Sequence, residues 1–315
     1  FSPCNDLLKG KIILDPFMGG GITLINTLRM GGKAIGADVN PVAWFITKNE
    51  LQIPEINGSM PDYEGLVNLL KVELNRIEKS AGALIKEAYK TRIKLEDGSE
   101  RDADIMYVFW VKKVKCPDCG AITRLFPKYN ITKIKREGFE NINICPKCGD
   151  IVRGNDEELT CKCGFMFNVT QSSFKSRKFK CNSCGGTFNI INDIMKTKRG
   201  TLDTEMYALE YYDADSGKKG FKRADSYDIE NFRKAKLECS MHMDELKEFI
   251  PPHKIPQGFN TRQVINHNYK YWSDMFNERQ LLFLSKLLQE IKNIEDPAVK
   301  EIFLCIFSNT LNANN

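Results

Sequence analysis

Eight of the eleven cysteines fall into four close pairs: Cys116/Cys119, Cys145/Cys148, Cys161/Cys163 and Cys181/Cys184. Two thiolates a turn apart can grip one tetrahedral ion, and a second pair from a later turn completes four ligands. The stretches "CPDCG" and "CPKCG" carry glycine after the second sulfur, which frees backbone amides around the metal. The eight sulfurs therefore predict two Cys4 zinc sites, most simply paired in sequence order. The nested arrangement, outer pairs together and inner pairs together, is an open alternative. With every ligand position filled by protein, no place remains for water, and both zinc ions are expected to be structural. Cys161/Cys163, with a single residue between ligands, is the least regular pair. Redox use of a CxxC is the competing reading, but four pairs among short strand-like runs argue against it. Cys4, Cys239 and Cys305 stand alone and are expected to be buried thiols. His242, His253 and His267 have no ligand spacing.

A second set of residues lies near the start, in "KIILDPFMGGGITLINTLRMGGKAIGADVNP". A glycine run lets backbone approach a ligand closely, and a helix beginning there presents free amides beside it. The dinucleotide fingerprint fails, because from Gly19 and Gly21 its third glycine falls on Leu24; the phosphate loop fails because no Gly-Lys-Ser/Thr follows. What remains is a nucleotide-like ligand without a central pyrophosphate. Asp38 lies 23 positions after Asp15, close to the offset at which an acid reaches a ribose diol. S-adenosylmethionine fits, with its ribose diol and its zwitterionic tail in place of phosphates.

The elements that must position these residues follow from pattern. "KIILDPF" reads as a buried strand, "ITLINTLRMG" as a helix closed by glycine, and "KAIGADVNP" as a second strand, together a βαβ unit. From Tyr63 to about Tyr89 apolar residues recur every three or four positions, predicting a long amphipathic helix. "ADIMYVFWVKKVKC" predicts a strand that feeds the metal module. "MYALEYYDADSGKKGFKRA" reads as a hairpin, and three helical stretches follow, the last opened by Pro297. The domain plan is residues 1–60 for the cofactor, 61–105 a helical connector, 106–190 the zinc insertion, and 191–315 a hairpin with helices.

The chain has 315 residues, 42% of them hydrophobic and 28% charged, enough for two or three cores. No window approaches the roughly 18 apolar residues of a membrane helix and no signal peptide is apparent, so a cytoplasmic chain with no membrane partner is expected. Formal charge is +5 but uneven: residues 111–137 and 171–200 carry +6 each, flanking the cysteine pairs. A basic metal module, with Phe126, Tyr129 and Phe179 expected to be exposed, could dock on nucleic-acid phosphates; a scaffold with solvated lysines is the equal alternative. Trp44, beside Val42 and Phe45, is expected in the core. The first residue is Phe, and both ends read as cut from a longer polypeptide.

"DPFMGGGIT" followed by "GADVNPVAWF" resembles the cofactor motifs of amino-group DNA methyltransferases. The cysteine pairs and "GFNTRQVINHNYKYWSDMFNERQLLFLS" are similar to the zinc-ribbon-containing adenine-specific DNA methylases, and the resemblance runs along the whole chain. It implies an α/β, Rossmann-like methyltransferase fold, incomplete here, with an inserted double zinc ribbon and a helical C-terminal part. By resemblance the cofactor residues are Asp15, Pro16, Phe17, Gly19, Gly20, Gly21, Thr23, Asp38, Asn40 and Pro41. Asp15, Phe17, Gly19 and Gly21 would surround the methionine end, Asp38 the ribose, and Asn40 and Pro41 would open the next helix beside the adenine.

The family holds its target amine with an Asp/Asn-Pro-Pro-aromatic loop. Here the double proline is in "FIPPHK", and "EDPAVK" has a single one. No catalytic residue is assigned, and the amine-holding motif is expected from the remainder of the polypeptide or from a partner chain. The chain alone is expected to bind cofactor weakly and to be inactive. The expected whole is a DNA methyltransferase acting on adenine N6, with DNA as partner. A non-catalytic zinc-ribbon nucleic-acid-binding subunit and an RNA methyltransferase are the alternatives.

Overall fold

The computed structural model describes residues 6–52, 63–132, 140–181, 183–197, 202–267 and 269–313. Cys4 lies outside them. The chain divides into two compact units, residues 1–85 with 235–315, and residues 86–234. The whole is mixed α/β, with several small sheets.

The first unit opens with β1 (Ile12–Asp15), α1 (Ile22–Arg29), β2 (Lys33–Gly36) and α2 (Pro41–Gln52). β1 and β2 pair in parallel, Ile12 opposite Lys33 through Asp15 opposite Gly36. Leu24 and Met18 are buried over β2, where a Cβ on Gly36 would come within 2.4 Å of Leu24 Cδ1 and 2.5 Å of Met18 Sδ. Glycine at that position is therefore a packing requirement. α3 (Tyr63–Ile77) runs through a π-helical turn at Glu78–Gly82 into α4 (Ala83–Ala88), so the long predicted helix is present with one widened turn.

The second unit is built on β3 (Lys90–Lys94) and the 16-residue β4 (Glu100–Lys115). Residues 90–105, planned as part of a helical connector, are thus a strand pair, joined through Asp97, Gly98 and Ser99. β-branched and aromatic residues crowd β4, and alternation places Val111 and the fully buried Val114 in separate cores. The ribbon strands follow: β5 (Ile122–Arg124), β6 (Asn130–Thr132), β7 (Ile142–Ile144), β8 (Ile151–Arg153), β9 (Glu158–Thr160), β10 (Met166–Asn168), β11 (Phe174–Lys175), β12 (Lys178–Lys180) and β13 (Thr187–Asn189). The chain then returns along β14 (Leu202–Asp213), which pairs antiparallel with β4 from Leu202 opposite Val114 to Tyr212 opposite Asp104. β15 (Lys218–Arg223) closes the predicted hairpin, giving the order β15-β14-β4-β3. Both metal-binding ribbons are therefore inserted at one end of a two-stranded ladder.

α5 (Ser226–Met241) starts in the second unit and ends in the first; α6 (Met243–Leu246), α7 (Arg262–Asn266), α8 (Glu278–Lys292) and α9 (Pro297–Ala313) complete the chain. Asn277 caps α8 in a reciprocal box with Gln280, and Asp296 accepts from Ala298 and Val299 amides ahead of Pro297. Ile77, Ile291, Ile294, Val299, Phe303 and Phe307 form the core of this helical layer. Arg76 ties α3 to α8 through the Glu290 carboxylate and, at 2.7 Å, the Glu290 carbonyl.

Candidate cofactor loop and metal centres

The glycine loop, residues 16–21, leaves the C-terminal end of β1 and enters α1. Gly21 is the N-cap of α1 at φ 74°, and Gly19 lies at φ 50°, both left-handed positions where a side chain would be strained. No side chain caps α1, so its first-turn amides, Ile22 to Leu24, have no partner inside the helix. A Cβ at Gly19 or Gly20 would meet nothing within 4 Å; the loop presents bare backbone to open space.

Two side chains fix this loop. Asp38, just past β2, accepts from the Gly19 amide through Oδ2 at 2.9 Å and from the Asn40 amide through Oδ1 at 2.8 Å. These amides, Asn40 first and Gly19 second, hold its carboxyl below the ordinary value. Thr47, buried on α2, donates from Oγ1 to the Gly19 carbonyl at 3.0 Å and lies where a Cβ on Gly21 would fall, at 2.6 Å from its Cγ2. Asp15 accepts from the Phe17 amide at 3.1 Å, and Asn40 accepts from the Val42 amide at 3.0 Å, capping α2 at Pro41. Thr23 donates nothing to the loop; its carbonyl receives Thr27 Oγ1.

The structure thus brings Asp15, the three glycines, Asp38 and Asn40 together around the ends of two parallel strands. It adds Thr47, which sequence reasoning missed because a lone threonine within "PVAWFITKN" looks like ordinary helix surface. Phe17 and Val39 are largely exposed on either side of the loop, at 81% and 93%. Trp44, expected in the core, is half exposed, with Lys48 Nζ 5.6 Å from its ring centre. Thr47, one turn further along α2, is buried.

The cysteines converge in two groups, Cys116, Cys119, Cys181 and Cys184, and Cys145, Cys148, Cys161 and Cys163, with sulfurs in each within 4.8 Å of one another. This is the nested arrangement and not the sequence-order one, because the β4–β14 ladder returns the last pair to the first. Sulfur contacts of 3.7 Å (Cys116–Cys184), 3.6 Å (Cys119–Cys181), 3.8 Å (Cys145–Cys163) and 3.5 Å (Cys148–Cys161) are far beyond a disulfide. They match the ~3.8 Å edge of a tetrahedron with ~2.3 Å zinc–sulfur bonds. Backbone amides lower Cys181 to about 6 and Cys163 to about 7, whereas desolvation pushes Cys145, Cys148 and Cys161 up, and at Cys184 the Gly186 amide is outweighed by desolvation and the neighbouring sulfurs, which push it up to about 12. The donor set and spacing fit zinc in both groups.

Each cluster has its own core. Phe179, Phe188, Val114, Leu125 and Ile194 surround the first, and Phe167 and Val169 the second. Phe126 and Phe179, expected to be exposed, are 4% and 1% accessible, and Tyr129 is half buried, its phenol pushed up by desolvation. Ribbons this small need aromatic side chains to fill the space that a larger core would supply. Cys239 is buried as expected and Cys305 partly so. Among the described residues, no helix is long and apolar enough to cross a membrane.

The geometry defines a two-unit chain in which one unit carries a parallel βαβ element with a triple-glycine loop and the other two Cys4 groups. A stretch of 43 residues is 46% identical to the Type II methyltransferase M.MjaII of Methanocaldococcus jannaschii, covering 14% of this chain and 8% of that protein. No protein-family model matches the chain, and no solved structure matches it. The short likeness supports a methyltransferase and goes no further.

Proposed function

We propose that the chain is part of an S-adenosylmethionine-dependent methyltransferase of Rossmann-like fold that modifies an exocyclic amine of DNA, adenine N6. The observation that carries the reading is the loop at Gly19 and Gly20: backbone open to a ligand, clamped from one side by Asp38 and from the other by Thr47.

When bound, the cofactor supplies an electrophilic methyl group on a sulfonium. The chain's own residues bind and orient. Each Asp38 oxygen spends one lone pair on an amide and keeps acceptor capacity for ribose hydroxyls. The first-turn amides of α1 suit a carboxylate tail, favoured there by the helix dipole. Asp15 holds the Phe17 amide at the head of the loop, and Asn40 with Pro41 starts α2, which by the family resemblance would lie near the adenine. Zinc held by the two Cys4 groups would tie the ribbons together and, with all four ligand positions filled by sulfur, would take no part in transfer. Positioning of the target amine, which methyl transfer needs more than acid–base help, falls to a group supplied by further polypeptide or a partner chain.

Calorimetric titration of S-adenosylmethionine into the full chain tests this. Saturable one-to-one binding is expected, weakened at least about tenfold by Asp38→Ala, since that change removes both the ribose acceptor and the loop clamp. No heat in the unaltered protein overturns the reading. The lack of an Asp/Asn-Pro-Pro-aromatic tetrapeptide favours a second reading, a non-catalytic nucleic-acid-binding subunit. Methyl transfer to DNA by the chain together with its complementing polypeptide decides between them.

A further inference from the structure

The hairpin β11–β12 breaks two local rules at once. Its two-residue turn, Ser176-Arg177, has φ of 50° and 65°, and these are the non-glycine residues of positive φ among those described. A type I′ turn requires that geometry but strongly prefers Asn-Gly in it. Lys175 is paired directly with Lys178 across the strands, a like-charge juxtaposition that disfavours the pairing. Lys175, Arg177, Lys178 and Lys180 are all exposed, and among the described residues no ion pair engages any of them.

The opposite face explains how the hairpin survives. Phe174 faces Phe179, which is buried in the core of the first cysteine cluster, and Cys181, a ligand of that cluster, follows Lys180 directly. β13 extends the sheet, pairing Lys178 with Asn189 and Lys180 with Thr187, so the outward positions of the three strands carry cations and neutral polar groups, with the Asp193 carboxylate engaged by the Asn189 amide at the sheet's edge. The buried phenylalanines hold in place a tip that its own sequence would not form well, and a zinc ion bound at the adjoining Cys4 group would reinforce it.

We infer that this hairpin is a groove-entering ribbon for duplex DNA, with Lys175 and Lys178 straddling backbone phosphates and Arg177 projecting from the tip. A two-stranded ribbon fits the ~12 Å major groove of B-form DNA, whereas the deep, narrow major groove of A-form RNA excludes it. Phosphates between Lys175 and Lys178 turn their mutual repulsion into shared attraction. The inference rests on the nucleic-acid reading proposed above and assigns it to one element.

The test is fluorescence anisotropy of a labelled duplex with the zinc-loaded full chain, over a salt series. Lys175→Ala/Arg177→Ala/Lys178→Ala should weaken binding at least about tenfold and make the log–log salt slope shallower by about 1.8, about 0.9 for each of the two phosphate contacts. Lys218→Ala/Lys219→Ala, on the exposed start of β15, should leave both unchanged. Ser176→Asn/Arg177→Gly installs the preferred turn; it should keep two zinc ions and equal or higher thermal stability, yet bind DNA several-fold more weakly. Duplex RNA should bind at least about tenfold more weakly than DNA. Unchanged affinity and slope in the triple variant, with zinc content intact, overturns the assignment while leaving DNA binding itself standing. Equal binding of duplex RNA, or no binding of DNA by the unaltered chain, overturns it as well. The cofactor titration stays independent of all three outcomes.

Discussion

Asp38 and Thr47 do at the scale of single residues what no glycine can do for itself, which is to hold a flexible loop in one conformation. Asp38 engages the Gly19 amide and Thr47 the Gly19 carbonyl, so both polar groups of one peptide neighbourhood are fixed from outside the loop. Thr47→Val keeps the volume and removes the hydroxyl. It should destabilise the protein by about 1 kcal/mol in chemical denaturation and weaken cofactor binding without abolishing it. The Asp38 carboxyl sits below its ordinary value, so the clamp is fully charged above about pH 4 and is lost only as pH falls through that depressed folded value. Cofactor affinity measured between about pH 5 and pH 8 should therefore show no step from this residue; a step near pH 6 would contradict the arrangement. The offset from the glycine turn singled out Asp38 in the sequence, though as a sugar contact and not as the clamp on Gly19 that the fold shows. Thr47 was not legible, since its role depends on helix phase against a loop 28 residues away.

At the scale of elements, packing of α1 on β2 is limited by Gly36. Gly36→Ala forces a methyl against Leu24 and Met18 and should cost about 1–3 kcal/mol by denaturation, with cofactor binding reduced as α1 shifts. The metal clusters give a sharper test by elemental analysis. Cys116→Ser and Cys184→Ser should each remove the same ion, and the double variant should still hold one zinc per chain. Cys116→Ser/Cys145→Ser should hold none; sequence-order pairing would give the reverse. The βαβ unit, the long helix and the β14–β15 hairpin were readable from local periodicity and turn chemistry. The nested clusters were not, because they depend on β4 and β14 finding each other across the whole insertion. Misplaced aromatics have the same origin: Phe126 and Phe179 read as surface in isolation, and only the fold shows that they fill the small cores of the ribbons.

At the scale of the molecule, the two units have separate cores, and the candidate cofactor loop and the metal centres fall in different ones. Stripping zinc with a chelator should collapse the ribbon cores while leaving the affinity for S-adenosylmethionine within about twofold, as read by calorimetry before and after metal removal. Loss of cofactor binding along with the metal would mean that the second unit helps to build the pocket.

The nesting of the cysteines also sets an order of assembly. The inner centre closes over a separation of 13 residues between Cys148 and Cys161, the outer one over 62 between Cys119 and Cys181. In a flexible chain the longer closure is disfavoured by roughly 1.4 kcal/mol, so the first ion to arrive should settle in the inner knot and shorten the path for the second. Maturation of this protein would then be hierarchical: a cell short of zinc would accumulate singly loaded chains whose inner ribbon is tied and whose basic hairpin is still unformed.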